Sequence, residues 1–508
     1  MRCQTCQADC GGRGGVARNG RVKKYHFDLV PKGKVECTHS IPWYVVGAGM
    51  PGKYEDSDCT GASNGSIVIA CRNGTTSINT GELIMLQMAR RNFLKGVAAM
   101  VPASAILSGY RAMARPLLKK VKITDVKAMF VQAHTETNLV KIETDSGITG
   151  IGEAYWGRGV KDVILGYLRN LVVSHDPLDI EPLYTEMIRS TGGAGSQAGV
   201  TVTAISGVEI ALWDLAGKIL GVPVCKLLGG QYREGVRAYW TTGPKDMLDP
   251  ASCREFAAAL KSHPFGITAI KSDADAFPKK YDPESREPGH DFVTGHLTPK
   301  DISRIGKGFG QLREAVGEDI DIAVHCHWEF DWTDALELAR AVAPIHPMWL
   351  EDPMPPYYSP SWSKLTAESP VPILTGENLY KRQGFMPFIL NQGCHLVQID
   401  IPKAGGLLES KKIADLAELF EIPVCAHIAS TPVGALASAH CAAAIRDFRA
   451  QEFSPGRMLP EDWEKFIIYD GPVIKDGKYR VSAKPGLGLE LNEDFVRTRL
   501  MPGETWWG

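Results

Sequence analysis

Six polar residues stand at an almost constant interval through the C-terminal half of this chain, each beside a short apolar run. They are His327 after Ile322-Ala323-Val324, Glu351 at the end of Met348-Trp349-Leu350, and Glu377 after Ile373-Leu374-Thr375. Asp400 then follows Leu396-Val397-Gln398-Ile399, His427 follows Val424-Cys425-Ala426, and Glu452 precedes Phe453. The gaps between them are 24, 26, 23, 27 and 25 residues. One strand, loop and helix of a parallel barrel needs about that length, and such barrels collect their active sites at the C-terminal ends of the strands. A ladder of Glu, Asp and His at this period predicts a barrel enzyme built around a metal ion and an acid/base pair.

The chain has room for more than a barrel. Its 508 residues can hold about 250 in a barrel and a further domain besides. An apolar content of 44% and a formal charge of −2 describe an ordinary globular protein and offer no basic surface for nucleic acid. Six of the 12 cysteines fall between Cys3 and Cys71, and six between Cys225 and Cys441. The later six lack close pairing, which argues against a disulfide framework or a zinc knuckle there. Cys3-Gln4-Thr5-Cys6 has no second pair at zinc-finger spacing.

Residues 1–84 carry no sustained period of 2 or 3.6 and are rich in Gly, Ser and Asn. After them come Arg90-Arg91-Asn92-Phe93-Leu94-Lys95, an apolar run from Val97 to Leu107, and the small-residue site Ala112-Met113-Ala114. A basic start, a short apolar centre and an A-x-A end make a secretory signal too short to span a bilayer. Its core resembles a twin-arginine export signal. We therefore expect residues 85–114 to direct export to the periplasm. Because such signals begin a chain, 1–84 read as a non-native or disordered extension, with a natural start at Met85 or Met88.

From Val121 the pattern sharpens. Residues 121–132, 138–144 and 149–153 read as strands, with Asp145-Ser146-Gly147 as a turn, and 160–173, 179–189 and 200–220 read as helices. Thr191-Gly192-Gly193-Ala194-Gly195-Ser196 reads equally well as a lid or as a surface connection. Beyond Val236, strands at 236–241, 269–271, 320–325, 348–351, 373–375, 396–400 and 424–427 alternate with helices such as 334–342 and 408–420. That alternation predicts an α/β fold: a (β/α)7–8 TIM-type barrel at 236–455, behind an α+β capping domain at 115–235. An irregular insertion at 274–299 lies on the face where such barrels bind substrate, and 456–508 is expected to return to the capping domain.

Several stretches together carry a family resemblance. They are Val208–Gly230 ending Leu227-Leu228-Gly229-Gly230, then Trp349-Leu350-Glu351-Asp352-Pro353, Gly376-Glu377, and Asp400-x4-Gly405-Gly406. Over residues 120–495 the chain resembles the mandelate racemase/muconate lactonizing branch of the enolase superfamily. The steps around Asp400, His427, Glu452 and His327 are most similar to galactonate dehydratase-like acid-sugar dehydratases.

The residues suit that chemistry. Removing the proton next to a carboxylate builds up two negative charges, which a divalent ion offsets. Glu351 and Glu377 are hard oxygen ligands suited to Mg²⁺. Asp400 would fix the tautomer of His427 and leave its other nitrogen as the general base. The resemblance implies His327 as the acid that protonates the departing hydroxyl, and Glu452 as a last-strand carboxylate that assists the enediolate. It also implies a small-molecule acid-sugar substrate, no nucleic-acid partner, no membrane span and a homo-oligomer.

Two positions depart from the family pattern. Where the family has its first acidic metal ligand this chain has His325, so Mg²⁺ is expected by family while Mn²⁺, Fe²⁺ or Zn²⁺ gain ground. Where many relatives carry a Lys-x-Lys base, this chain has Lys271-Ser272-Asp273. Lys271 and Asp273 are therefore assigned to substrate binding, and the missing second lysine favours dehydration over two-base racemisation. A racemase or epimerase of the same superfamily and a non-catalytic carboxylate-binding barrel remain as alternatives. A metal hydrolase is the weaker one, since His325-Cys326-His327 matches the His-x-His motif of those barrels but on the third strand, not the first.

Overall fold

Period-two burial sets the architecture. The computed structural model describes residues 121–133, 136–282, 296–456 and 458–507. The expected extension at 1–84, the export signal at 85–114 and residues 283–295 of the insertion lie outside the described residues. Strands β1 (Ile123–Gln132), β2 (Glu136–Thr144) and β3 (Thr149–Ala154) form an antiparallel meander. Helix α1 (Val200–Leu220) packs across it, starting after Gly199 and stopping at the left-handed Gly221. The approach is close: a Cβ at Gly152 would stand 2.3 Å from the Gly207 carbonyl oxygen of α1. Helix α1 is long and apolar enough to cross a membrane, yet 89% of that stretch is buried inside the protein. The helical run expected at 160–173 is interrupted by a π turn at Ile164–Leu168.

Eight parallel strands follow: β4 (Gly235–Thr241), β5 (Ala269–Asp273), β6 (Asp321–His325), β7 (Leu350–Glu351), β8 (Ile373–Thr375), β9 (Leu396–Ile399), β10 (Val424–Ala426) and β11 (Phe448–Phe453). β11 pairs with β4, matching Glu452 to Tyr239, and closes the barrel. Eight units are therefore present. The sequence reading had picked out only seven strands, because Phe448-Arg449-Ala450-Gln451-Glu452-Phe453 lacks a continuous apolar run. Helices α2 (Gly406–Glu418) and α3 (Pro432–Ala443) follow β9 and β10.

The barrel interior is built in layers. Tyr239, Ala269, Ala323, Trp349, Leu374, Leu396, Cys425 and Ala450 form one buried apolar cluster, with one residue from each strand or its immediate start. Side chains on a strand repeat their direction every second residue. The next layer is therefore Thr241, Lys271, His325, Glu351, Gly376, Gln398, His427 and Glu452. It is almost wholly polar, and it forms the floor of the site.

The C-terminal segment adds a hairpin whose Lys478–Arg480 strand pairs antiparallel with β4. It then reaches the capping sheet, where Gln132 N donates to Arg499 O at 2.7 Å and Met501 N to Phe130 O at 3.0 Å. The Thr191–Ser196 stretch is anchored: Ser196 Oγ donates to Ile188 O at 2.6 Å and Lys381 Nζ to Ser196 O at 2.5 Å.

Candidate active site

The polar layer brings three donors of the ladder and its flanks together at one point. His325 Nε2 lies 3.7 Å from Glu351 Oε1 and 3.8 Å from Glu377 Oε2. All three residues are buried, and the three atoms lie within 4.8 Å of one another. His325 Nε2 and Glu377 Oε2 have no hydrogen-bond partner, a costly state for buried polar atoms. One imidazole and two carboxylates converging with free acceptor positions fit a divalent cation. Asp273 Oδ1, 3.5 Å from His325 Nδ1, stands behind that imidazole.

Lys271 does not face an open cavity. Its ammonium is 2.6 Å from Glu351 Oε1 and 3.0 Å from Glu452 Oε1, with the side chain 1% exposed. Burial alone would lower its pKa, but Glu351, Glu452 and Glu377 outweigh burial and raise it. Glu351 is fixed further by Trp349 Nε1 at 2.8 Å and Gln398 Nε2 at 3.0 Å. Glu452 accepts from Thr241 Oγ1 and from Ile428 N, and against burial the Lys271 and His427 cations hold its carboxyl low.

Asp400 and His427 form a dyad. His427 Nδ1 is 2.6 Å from Asp400 Oδ2, both are buried, and the ring's Nε2 points to Glu377 Oε2 at 3.4 Å and Glu452 Oε2 at 3.6 Å. Burial opposes an imidazolium, yet the carboxylates of Glu377, Glu452 and Asp400 lift His427 to about 9. The Asp400 partner fixes Nδ1–H as the donor and leaves Nε2 for proton transfer.

His327 lies on the rim, with a left-handed φ of 49°. Its ring lies tilted against that of His325 with centroids 3.8 Å apart, its Nδ1 is 3.0 Å from Asp275 Oδ1, and its side chain is 40% exposed. Asp275 is largely buried, but His327 and Lys279 hold its carboxyl down at about 2.

The sequence reading missed several contributors. Asp275 orients His327, and its Asp273-Ala274-Asp275 spacing past a strand end was the available signal. Tyr155 comes from the end of β3 and packs edge-on against the His427 ring, with centroids 5.8 Å apart. An aromatic pair, Tyr155-Trp156, directly after a Gly-rich strand could have pointed to it. Lys403 places its ammonium 4.8 Å from the Tyr155 ring centre, and its Asp400-x2-Lys403 spacing went unread.

Comparison with known proteins agrees with this architecture. Residues 117–229 match the mandelate racemase/muconate lactonizing enzyme N-terminal domain, and 256–495 match the enolase C-terminal domain-like family. The chain is 36% identical over 388 residues to a D-xylonate dehydratase of Haloferax volcanii, covering 76% of this chain and 91% of that protein. It is 29% identical to a D-galactonate dehydratase of Xanthomonas campestris pv. campestris, covering 70% of this chain and 89% of the relative. Among solved structures, a mandelate racemase/muconate lactonizing enzyme-like protein from Rubrobacter xylanophilus superposes with a TM-score of 0.70 at 34% identity, over 77% of this chain and all of that one. An enolase superfamily member from Salmonella Typhimurium gives 0.66 at 30% identity, over 75% of this chain and 98% of its own. With both halves of the architecture matched in order, the chain belongs to the mandelate racemase/muconate lactonizing enzyme branch of the enolase superfamily.

Proposed function

We propose that this protein is a divalent-metal-dependent hydro-lyase that dehydrates an acid sugar to a 2-keto-3-deoxy acid. The observation that carries this reading is that His427, backed by Asp400, and His325, grouped with Glu351 and Glu377, both direct Nε2 at one oxygen, Glu377 Oε2. A base is thereby held beside the position a bound carboxylate would take. The names of two relatives, a D-xylonate dehydratase and a D-galactonate dehydratase, support an aldonate as substrate.

His427 Nε2 removes the proton on the carbon next to the substrate carboxylate, while Asp400 holds the ring and stabilises the imidazolium. His325, Glu351 and Glu377 would hold a divalent ion, which when bound would supply positive charge to offset electron density on that carboxylate. Were Glu377 engaged as a ligand, its pull on the imidazolium would fall, which would favour the neutral His427 that a base requires. Lys271 pairs with Glu351 and Glu452 and holds both carboxylates in place beneath the substrate. His327, steadied by Asp275, gives its proton to the hydroxyl on the next carbon. That C–O bond breaks, water departs, and the remaining enol takes up a proton to become the 2-keto acid. At the end of β5 a carboxylate, Asp273, stands in place of an amine base, which favours this one-sided abstraction over racemisation. We further propose that residues 85–114 direct export by the twin-arginine route.

The test is direct. The purified protein, loaded in turn with Mg²⁺, Mn²⁺, Fe²⁺ and Zn²⁺, is assayed on D-xylonate, D-galactonate and their epimers for 2-keto acid and for loss of one water by mass. A dehydrated product supports the reading; no product with any pairing sinks it.

A further inference from the structure

Glu153 and Glu209 belong to the capping domain, yet both bond to helix starts of the barrel domain. Each is fully buried. Glu153 accepts from Thr431 N at 2.9 Å, Gly434 N at 2.8 Å, Thr137 Oγ1 at 2.9 Å and the Thr431 hydroxyl. Thr431 is the N-cap of α3 and lies four residues beyond His427. Glu209 accepts from Leu407 N at 2.7 Å and Leu408 N at 3.0 Å, in the first turn of α2, which begins six residues beyond Asp400.

The chain between each dyad residue and its anchor is short and internally bonded. Lys403 N and Ala404 N both donate to Asp400 O, at 3.1 and 2.7 Å, and Gly405 N donates to Ser206 Oγ of α1 at 2.9 Å. Tyr155 N donates to Pro402 O at 3.1 Å. Gly406, at φ 86°, lies so close that a Cβ there would stand 2.1 Å from Glu209 Oε2. On the other loop, Ile428 N is held by Glu452 Oε2 at 3.2 Å before the chain reaches Thr431.

From this geometry we infer that Glu153 and Glu209 are positioning residues for the His427–Asp400 dyad, each fixing from the capping domain the loop that carries one partner. A carboxylate over the exposed N–H groups of a helix start is favoured by hydrogen bonding and by the helix dipole. Burial works against both carboxylates, lifting each to about 7 in spite of those donors. A purely architectural anchor has no need to sit on these two loops. Asp214 shows the contrast: it is equally buried and bonds Ile151 N and Leu487 N at 2.8 Å each, far along the chain from either dyad residue.

The inference rests on the proposed role of His427, and the experiment separates the two. Glu153→Gln, Glu209→Gln and Asp214→Asn are compared at a temperature well below their melting points. The readouts are kcat, KM, divalent-ion affinity by calorimetry, and the downfield proton resonance of the His427–Asp400 hydrogen bond, identified by its loss in His427→Asn. We expect the two Gln variants to lose about tenfold to a hundredfold in kcat, the scale of a small misplacement of a reacting group. KM and ion affinity should stay within about twofold, and the dyad resonance should shift. Asp214→Asn should keep kcat and the resonance whatever it loses in melting temperature. Should the Gln variants not fold, Thr431→Val and Ser206→Ala take their place with the same expectation. Wild-type kcat and an unmoved resonance in the folded variants overturn the inference, as does a parallel kcat loss in Asp214→Asn. Full turnover in His427→Asn overturns the catalytic reading instead.

Discussion

His325 and His427 aim their Nε2 atoms at the same carboxylate oxygen, Glu377 Oε2, from 3.8 and 3.4 Å. Each imidazole has a carboxylate behind it, Asp273 at 3.5 Å for the first and Asp400 at 2.6 Å for the second. The tighter pairing holds the ring of His427, the proposed base, more firmly than the looser one holds that of His325, the proposed ligand. Glu377 thus stands between the proposed ligands and the proposed base, so changes to either should register in the other.

The chemical roles separate through hydrogen exchange. His427→Asn should abolish both dehydration and exchange of the substrate's α-hydrogen with D₂O, read by NMR. His327→Asn should lose dehydration but keep exchange, because abstraction does not need the leaving hydroxyl to be protonated. Exchange that survives without His427 and vanishes without His327 would reverse the two assignments.

The ion's ligands are testable without turnover. Glu377→Gln should weaken divalent-ion binding by at least roughly 10- to 100-fold, the loss typical even for groups that only support a ligand. His325→Asp should move the preference toward Mg²⁺ and away from Zn²⁺, since a hard oxygen replaces a nitrogen. Calorimetric titration of the metal-free protein with both ions reads this ratio. An unchanged ratio would remove His325 from the ligand set.

Acid stability has a local source away from the site. His440 is fully buried, accepts from Cys225 N through Nδ1 at 3.3 Å and meets Leu487 O through Nε2 at 3.2 Å. Burial, against the pull of the Leu487 carbonyl, depresses its pKa to about 4. A depressed value means stability that is present above the unfolded pKa of about 6.5 and is lost as pH falls toward 4. The full loss is about 3 kcal/mol. His440→Asn, which keeps an acceptor for Cys225 N, should lose less melting temperature between pH 7 and 4.5 than the wild type does.

Export is tested in the cell. Replacing Arg90 and Arg91 with Lys should hold the protein in the cytoplasm, and fractionation reads the outcome. Normal periplasmic accumulation of that variant would dismiss the twin-arginine reading.

Much of this site was visible in the chain because a parallel barrel returns to the same face once per strand–helix unit. Each return left a polar residue beside an apolar strand. Helix α1 was equally legible, since Gly199 and Gly221 bracket a long, mainly apolar run. What escaped detection depended on contacts between distant segments. β11 was hidden because its inward residue is Glu452 and its neighbours include Arg449 and Gln451, so no apolar run announces it. Tyr155 was missed because nothing near it in sequence shows that the end of β3 meets the ring of His427. Lys271 looked like a substrate contact from its strand-end position. Only the fold shows that the barrel wall places it between Glu351 and Glu452.

That enclosed lysine also bears on when the protein acquires its ion. Four acidic side chains crowd the floor, and without a resident cation their mutual repulsion would make folding wait for a metal. The Lys271 ammonium already neutralises part of that charge from within, which eases the demand for a metal while the chain folds.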